Sequence, residues 1–598
     1  MCLTGVDYFS TLAYQPGIAL AAAGIVSPFA TLVLVLMTLC VALPTYMIVA
    51  KVSPHGEGSI SLLERLFPRW KGKAVVLLLL GFAATDFVIT ITLSSADAAE
   101  HLIHNPLTPS WLSNQYWTTI AMLFALTAVF LKGVSEAVGT AVVIVGGYLA
   151  VTAYVIAMAF GHLLQHPHLV ELWYSHLGAT FPDAWQWLFV ALLLFPKLAL
   201  GLSGFETGVA VMPLVKGDPQ DTEHQPEGRI RNTRKLLATA AVIMSILLLG
   251  SSFVTTVLID SKELHPDAEA YGRALSFVAH SLLGDVVGSV YDACTVLILF
   301  FAGASATAGL LNLIPRYLPR FGMAPEWAVC RRPLVLVLLA TTLLVTTLFQ
   351  ASVEAQGGAY ATGVLVLMSS AAIGATVILW QSKWRYPMLA VCLAFGYTTI
   401  VNIAERPEGI RIASGFILAI TFLSLLSRAL RSTELRVLHV HLDDIAQRFI
   451  AADEDQILHI AAHRPSERTP QEYDRKARAI LREHNLPPTT ALLFLEVDLK
   501  DASRFDAPLY VQGHRVGRHM ILRTESPAIP NAIAAILLHL HCVTGHLPHA
   551  YFGWTEGSPL GYLFRYLFLG EGDVAIFTRE VLRRHVADPD QRPRVHVT

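Results

Sequence analysis

The chain has 598 residues, of which 54% are hydrophobic and only 15% are charged, and its formal net charge is −2. With a mean hydropathy of +0.53, this composition excludes a soluble globule and indicates a membrane protein. The near-zero net charge gives no electrostatic case for nucleic-acid binding. The six cysteines are scattered and form neither a disulfide framework nor a metal-site spacing. We therefore expect no cofactor, no metal site and no nucleic-acid partner, and the lipid bilayer as the surroundings.

A transmembrane helix needs about 20 apolar residues to cross the hydrocarbon core. Applied along the chain, this rule predicts about twelve transmembrane helices. The predicted spans are 6–25, 28–50, 75–99, 115–131, 135–160, 185–213, 236–259, 286–314, 333–352, 359–380, 386–403 and 412–428.

The loops between these spans predict the orientation, because cytoplasmic loops carry an excess of Lys and Arg. The loops on one side carry about 17 Lys and Arg residues and those on the other side about 4. We therefore expect a multi-pass protein of a bacterial-type plasma (inner) membrane with both termini in the cytoplasm. Met1 lies almost at the first span and no cleavable signal precedes it, so we expect the natural start of the chain to lie upstream.

The first span carries a polar stripe. Asp7 and Tyr14 are seven residues apart, which places them on nearly the same helix face, with Ser10 and Thr11 between them. The pair Pro16-Gly17 follows, and a helix break inside a membrane is tolerated where it lines a protected site. Broken helices with polar groups at the break are typical of secondary transporters. The alternative is that Asp7 lies at the membrane interface and caps the helix.

The third span has a second polar stripe, formed by Asp86, Thr90, Ser94 and Asp97 at helical spacing. Ser and Thr in membrane helices also bond to their own helix or hold neighbouring helices together. The two aspartates favour a role in a solute pathway, because an ionisable side chain is costly in lipid unless it faces a cavity or a partner.

The sixth span contains Ser203 and Glu206 among three glycines in the middle of an apolar run. This composition predicts an unwound segment, and interruption of spans one and six is the pattern of a five-plus-five inverted repeat. Burial disfavours a charged carboxylate and a nearby cation favours it, so Glu206 is predicted to couple proton and cation movement. Lys197 is predicted as an ion-pair partner of Glu206 or Asp86, or as a side chain that reaches the interface. Tyr360 lies near the start of the tenth span and is a further candidate oxygen ligand, with an aromatic residue of the membrane interface as the alternative.

After residue 430 the charged residues become frequent and the apolar runs shorten. We therefore divide the chain into a transmembrane transporter domain, 1–430, and a cytoplasmic regulatory domain, 431–598, of the α/β or α+β class. Predicted strands are 435–442, 456–462, 491–497 and 519–523, and predicted helices are 474–484, 531–543 and 574–584. The second domain shows no phosphate-binding loop motif and no metal cluster.

These features resemble the amino acid–polyamine–organocation (APC) superfamily, whose members have a LeuT-like fold. Within it, the chain is most similar to the KUP potassium transporters of the KimA-like branch. The family pattern falls on Asp7 and Tyr14, on Thr90 and Ser94, on Ser203 and Glu206, and on Tyr360. The resemblance implies potassium binding at these positions and proton coupling at Glu206.

Two positions depart from the family pattern. Phe87 stands where the family has tyrosine, which removes a hydroxyl, and Ser203 replaces a threonine. Potassium selectivity requires enough oxygens to replace the ion's hydration shell. Amino acid permeases of the superfamily instead show a glycine-rich break in the first span, and the segment from Leu12 to Gly17 lacks it. Asp7 would also repel a substrate carboxylate, which favours a cation.

The sequence thus predicts proton-coupled potassium uptake by alternating access, with potassium and the proton as transported species. A permease for an amino acid or another small organic solute is the main alternative. A membrane sensor that signals through the C-terminal domain is the second, and transport retained after deletion of that domain would argue against it. No nucleophile–base pattern indicates an enzyme. Two partners of the C-terminal domain stay open: a second copy of the chain, forming a homodimer, and a nucleotide regulator.

Overall fold

The computed structural model divides the chain into two units. It describes residues 2–67, 69–132, 137–222, 225–265, 268–319, 322–437, 439–451, 458–505, 508–553 and 557–597. The first unit consists of Met1–Pro68, Ala74–Arg316 and Trp327–Ile420. The second consists of Arg69–Lys73, Tyr317–Glu326 and Thr421–Thr598.

Up to residue 430 the described chain is helical. The α-helices in chain order are α1 (Cys2–Ala23), α2 (Ser27–Met37), α3 (Leu43–Val52), α4 (Gly58–Leu66), α5 (Arg69–Ile103), α6 (Gln115–Lys132), α7 (Ala137–Gln165), α8 (Pro167–Thr180), α9 (Ala184–Leu194), α10 (Phe205–Ala210), α11 (Glu227–Leu258), α12 (Ala274–Tyr317), α13 (Arg331–Phe349), α14 (Val353–Ile378), α15 (Arg385–Glu405) and α16 (Pro407–Leu430).

Ten helical stretches of the described residues are long and apolar enough to cross a membrane. The first, Gly5–Val52, has 48 residues and includes the first two predicted spans. The predicted span 115–131 coincides with the 18-residue helix α6, which is not among the ten. Each of the other predicted spans overlaps one of the remaining nine stretches, so the predicted helical membrane protein is confirmed.

The interruption predicted in span one is not where the sequence placed it. Helix α1 continues through Pro16 to Ala23, and the first positive backbone angle comes at Gly24, with φ of 53°. A proline inside a membrane helix removes only one backbone donor, and neighbouring groups can satisfy the freed carbonyl. The expectation of a break at Pro16-Gly17 is therefore wrong.

The interruption predicted in span six is present. A 3₁₀ segment, Phe195–Leu202, follows helix α9, and Ser203 then adopts an extended conformation with ψ of 166°. Gly204 has φ of 87°, a left-handed conformation that glycine adopts without the steric cost of a side chain. Helix α10 starts directly afterwards, so the backbone around Ser203 is not helical.

The second unit contains a seven-stranded sheet with helices around it. Its strands are β1 (Val440–Leu442), β2 (His459–Ala462), β3 (Leu493–Leu499), β4 (Leu509–Val516), β5 (His519–Ser526), β6 (His549–Phe552) and β7 (Arg594–Val597). Its helices are α17 (Asp444–Ala451), α18 (Pro470–Glu483), α19 (Ile529–Thr544), α20 (Pro559–Leu569) and α21 (Val574–His585).

The spatial order of the strands is β1-β4-β5-β3-β2-β6-β7. Neighbours pair in parallel except β4 and β5, which are antiparallel. Helix α19 is mostly buried and packs against β3 in the larger apolar core. The predicted α/β domain is therefore confirmed. Strands β4, β6 and β7 and helices α17 and α20 were not predicted from the sequence.

Candidate functional site

The polar stripe of helix α1 lies against the break in span six. The hydroxyl oxygens of Thr11 and Ser203 are 3.3 Å apart. The phenol of Tyr14 lies beside both hydroxyls and is 3% exposed. Gly204 permits this approach, because a Cβ atom there would lie 2.8 Å from the Cβ of Tyr8. The left-handed glycine thus lets Ser203 reach the helix α1 stripe.

Asp7 is buried in this cluster, with an exposed fraction of 1%. Its carboxylate lies beside the Thr207 hydroxyl of helix α10. Neither carboxylate oxygen makes a hydrogen bond within the described part of the chain. Ser10 and Thr11 instead donate to the backbone carbonyl of Asp7, at 2.8 and 3.3 Å. A buried carboxylate is costly without a compensating positive charge or a proton.

Helix α14 brings Tyr360 to the same cluster. The Tyr360 side chain is 1% exposed, and its phenol lies beside the Ser203 hydroxyl. Gly363, three residues later, packs on helix α5, because a Cβ there would lie 3.1 Å from the backbone nitrogen of Asp86. Helices α1, α5 and α14 and the break in span six therefore converge on one buried region.

Helix α5 contributes the second predicted stripe. Asp86, Thr90 and Ser94 are each less than 5% exposed. Thr90 donates to the Asp86 carbonyl at 2.8 Å, so its hydroxyl hydrogen is used within its own helix, as one of the alternatives expected. Asp86 lies near enough to Asp7 and Glu206 for the three charges to interact. Phe87, where the family pattern has tyrosine, packs its ring against Gly309.

Glu206 is held by the start of helix α4. Its Oε1 atom accepts hydrogen bonds from the backbone amide of Ser59, at 3.0 Å, and from the Ser59 hydroxyl, at 3.1 Å. A Cβ at Gly58 would lie 2.2 Å from the same oxygen, so only glycine fits there. The Tyr46 phenol of helix α3 also lies beside the Glu206 carboxylate. The second oxygen, Oε2, has no hydrogen-bond partner among the described residues.

The structure gives Lys197 a different partner from those predicted. Its ammonium group lies 3.6 Å from the carboxylate of Glu405. Both side chains are more than a third exposed, whereas Glu206 and Asp86 are buried. The predicted ion pair of Lys197 with Glu206 or Asp86 is therefore not formed, because the lysine side chain points away from the buried carboxylates toward the end of helix α15.

Several residues of this region were not predicted. Ser59 and Gly58 lie in a segment that the sequence places in a cytoplasmic loop, where the close glycines Gly56 and Gly58 are the only signal. Gln15 follows the α1 stripe, and its amide nitrogen donates to the carbonyl of Leu198 in the 3₁₀ segment at 3.1 Å. This hydrogen bond ties helix α1 to the 3₁₀ segment.

The second unit has a separate cavity of about 480 Å³. It lies at the carboxyl ends of β2, β3 and β6, where its walls include Leu495, Phe552 and Gly553. Its charged and titratable lining residues are His463, Arg464, Lys476, Tyr562, Arg565 and Glu571. Arg464 pairs with Glu571 at 3.1 Å, which leaves the remaining lining positive.

Five strands of the sheet run parallel to one another, in the spatial order β5-β3-β2-β6-β7. If these five are renumbered 1 to 5 along the chain, starting from β2, their spatial order is 3-2-1-4-5. In sheets of this order, ligands bind outside the carboxyl ends of the strands where the order reverses. The reversal lies between β2 and β6, and the cavity is located there.

One family model, described as amino acid permease, matches residues 3–426. The match covers the membrane-spanning helices, including every residue of the central cluster, which consists of Asp7, Thr11, Tyr14, Asp86, Ser203, Glu206 and Tyr360. A comparison with curated proteins gives no match.

Proposed function

We propose a cation-transport function for this chain, which belongs to the amino acid permease family and therefore to the APC superfamily of secondary transporters. The chain is a multi-pass membrane protein of a transporter family, and the finer proposal is proton-coupled potassium uptake. Within the superfamily we place it beside the KimA-like branch of the KUP potassium transporters. We also propose a plasma-membrane location with both termini in the cytoplasm.

The observation that carries the proposal is the environment of Asp7. Its buried carboxylate acts through charge on the phenols of Tyr14 and Tyr360, which lie beside the Ser203 hydroxyl, and no Lys or Arg is paired to it among the described residues. A negative site rich in hydroxyl and phenol oxygens can replace water around a monovalent cation. A bound cation would also compensate the charge of Asp7.

The proton-coupling part of the proposal is carried by Glu206. Its carboxylate accepts two hydrogen bonds from Ser59, at the start of helix α4. Asp86 stands near both Asp7 and Glu206, so a cation at Asp7 and a proton at Glu206 interact through charge. Competition between the two ions over neighbouring carboxylates is a physical basis for coupled movement.

An amino acid or small organic amine is the second candidate, and the family match supports it about equally at the level of the superfamily. An ammonium group would fit Asp7 as well as a metal cation does. A carboxylate would need free backbone amides, and helix α1 is continuous through the region where the family's amino acid carriers have a glycine-rich break. The continuous helix therefore argues against a substrate carboxylate and favours a cation.

The test is uptake by the purified protein in proteoliposomes, with radioactive rubidium as a potassium analogue and labelled amino acids as competitors. We expect rubidium uptake that an inward proton gradient accelerates and that amino acids do not inhibit. Asp7→Asn should raise the rubidium concentration for half-maximal uptake at least about tenfold. The exposed Asp183→Asn variant is the matched control. Uptake of an amino acid without rubidium uptake would replace the proposal with the second candidate.

For the second domain we propose a regulatory role through an anionic ligand of the nucleotide type. The support is the cavity at the strand-order reversal with Lys476 and Arg565 in its lining. Binding of labelled ATP to the full chain should be lost in Lys476→Gln and kept in the exposed Arg515→Gln control. Binding that is equal in both variants would contradict this site. A homodimer through this domain is a further proposal that sedimentation of the purified protein tests.

A further inference from the structure

A second buried cluster lies at the far end of helix α5 from Glu206, around Asp292 of helix α12. The side chain of Asp292 is 2% exposed, and each of its oxygens accepts one hydrogen bond and lies within hydrogen-bond distance of a histidine nitrogen. Oδ1 contacts Nδ1 of His101 at 2.9 Å and the Ser276 hydroxyl at 2.6 Å. Oδ2 contacts Nε2 of His280 at 3.1 Å and the Asn105 amide at 2.9 Å. Two histidines thus flank one carboxylate.

The two histidines differ in their access to solvent. The side chain of His280 is 18% exposed, and its Nδ1 atom lies 3.4 Å from Asp285, which is 75% exposed. The side chain of His101 is fully buried, and its Nε2 atom has no hydrogen-bond partner among the described residues. The chain His280–Asp292–His101 therefore leads from the protein surface to a buried nitrogen that is free to exchange a proton.

A turn in helix α12 places His280 over Asp292. Gly284 has φ of 80° and ψ of 170°, so the helix breaks there and its first part folds back. The His280 ring then lies on Gly288, where a Cβ atom would be only 2.4 Å from the ring. Glycine at both positions is required for this geometry. The position of His280 beside Asp292 is therefore set by the backbone at these two glycines and not by the side-chain conformation alone.

The polar stripe of helix α5 continues from the central cluster to His101. The sequence places Asp86, Thr90, Ser94, Asp97 and His101 at steps of four, four, three and four residues, which is one face of a helix. At 1.5 Å per residue, the stripe from the first to the last is about 22 Å long. It runs from the vicinity of Glu206 to the Asp292 cluster.

Asp97 is the link between the two clusters. It is 1% exposed, and neither of its oxygens has a hydrogen-bond partner in the described chain. It lies one helical turn from His101 and near enough to Tyr14 for its charge to act on that phenol. The buried phenols of Tyr148 and Tyr291 are near enough for the charge of Asp97 to act on them, and neither has a hydrogen-bond partner by distance and angle in the described residues.

From this arrangement we propose that His280, Asp292, His101 and Asp97 carry the proton between the face predicted to be extracellular and the central carboxylates. This inference rests on the proposed proton coupling and deepens it by naming a route. Other charged or titratable groups that face the cluster are Glu100, His104, Arg273 and Asp285.

Within the Asp292 cluster the route moves protons between atoms in contact, and from His101 to Asp97 it crosses one turn of helix α5; only bonds to hydrogen change. The Nε2 hydrogen of a doubly protonated His280 passes to Asp292, and rotation of the neutral carboxyl group presents it to Nδ1 of His101, which accepts it when the ring carries its single hydrogen on Nε2. The hydrogen on Nε2 of His101 then leaves toward Asp97. One proton arrives and one departs, so charge is conserved. Arg273 cannot take part in transfer because a guanidinium stays protonated.

A purely structural role would not need the two histidines. The Ser276 hydroxyl already donates a hydrogen bond to Oδ1 of Asp292, and the Asn105 amide donates one to Oδ2. The histidines add two imidazole rings, each with one nitrogen that can donate a proton and one that can accept it, and so suit proton transfer. The buried Nε2 atom of His101 has no hydrogen-bond partner among the described residues, and a purely structural role would not explain this.

The test uses the full-length protein in proteoliposomes and two measurements on each variant. The first is potassium-driven acidification of the vesicle interior, and the second is rubidium exchange at equal pH on both sides, which requires no net proton movement. In His101→Gln and Asp292→Asn we expect acidification to fall at least about tenfold, with exchange unchanged within about twofold. His104→Gln is the matched control, because that histidine is exposed and its ring bonds to the backbone carbonyl of Glu100 and not to Asp292 in the described structure.

The outcomes separate this inference from the function on which it rests. Wild-type acidification in His101→Gln would overturn the route while the proposed function stands. Equal loss of both activities in His101→Gln and in the partly exposed His280→Gln variant would assign the cluster a structural role, and also overturn it. No acidification by the wild type would overturn proton coupling itself.

Discussion

Ser59 donates two hydrogen bonds, one from its backbone amide and one from its hydroxyl, to a single carboxylate oxygen of Glu206. The amide belongs to the first turn of helix α4, where the helix dipole favours a negative charge. Protonation of Glu206 removes the charge and weakens both hydrogen bonds, since charge-assisted bonds are the stronger kind. The protonation of Glu206 is therefore coupled to how firmly the start of helix α4 is held.

The first prediction concerns the charge of Glu206. Glu206→Gln keeps the size of the side chain but cannot release a proton, so we expect rubidium uptake that no longer responds to an inward proton gradient. The measurement is the ratio of initial uptake rates with and without the gradient. The exposed Glu227→Gln variant should keep the wild-type ratio. A gradient-dependent rate in Glu206→Gln would show that the proton is carried elsewhere.

The second prediction concerns the backbone at Gly204. Gly204→Ala puts a Cβ atom within 2.8 Å of Tyr8 in a left-handed conformation, so the break in span six must shift and Ser203 must move away from Thr11. We expect weaker cation binding, with half-maximal uptake at a rubidium concentration at least about tenfold higher. Gly161→Ala, in open space, is the control. Wild-type affinity in Gly204→Ala would exclude Ser203 as an ion ligand.

The sequence was sufficient to predict the polar faces of two helices. In α1 and α5, the spacing of Asp7 and Tyr14 and of Thr90 and Ser94 follows the helical period, which is a local property of the chain. The break at Ser203-Gly204 was also predictable, because glycine marks backbone that is not helical. Their convergence with Tyr360 is not a local property, and in the sequence only the family resemblance implied it.

Contacts between distant segments were not predictable in the same way. Ser59 and Glu206 are 147 residues apart, and nothing in either local pattern indicates their pairing. The continuous course of helix α1 through Pro16 was also missed, because tertiary packing overrides the helix-breaking tendency of proline in a membrane. In the second domain, β6 and β7 have only four residues each, too few for a clear alternating pattern.

The third prediction concerns a buried charge network in the second domain. Glu496 of β3 is fully buried and accepts hydrogen bonds from the Tyr473 phenol and, at 2.9 Å, from Arg523. Glu496→Gln leaves the Arg523 charge without its partner, so we expect a loss of about 3 kcal/mol in the stability of this domain. Hydrogen exchange of β3 and β5 in the full-length protein measures it.

The control for this network lies close to it on the same sheet. Glu525 pairs with Lys500 at 2.9 Å, but both side chains are well exposed, so Glu525→Gln should cost about 1 kcal/mol or less. Equal hydrogen-exchange rates in the two variants would mean that the buried network does not contribute more than an exposed ion pair.

The fourth prediction concerns a histidine cluster on β2, β6 and β7. The rings of His549 and His596 stack at 5.1 Å, and His459 lies 5.8 Å from His549. Burial, followed by the neighbouring His596 and His459, lowers the pKa of His549 to about 4. The folded domain therefore keeps this ring neutral under conditions in which the unfolded chain takes up a proton.

The sign of the pH effect follows from this lowered pKa. Above the unfolded value of about 6.5, both states are neutral at His549 and its contribution to stability is fully present. As the pH falls through this value toward about 4, only the unfolded state gains the proton, and stability is lost.

We expect hydrogen exchange in β6 and β7 of the full-length protein, corrected for the intrinsic pH dependence of exchange, to accelerate over this range. His549→Gln should reduce the acceleration, whereas the exposed His585→Gln variant should not. Equal acceleration in wild type and His549→Gln would assign the acid sensitivity of these strands to other groups.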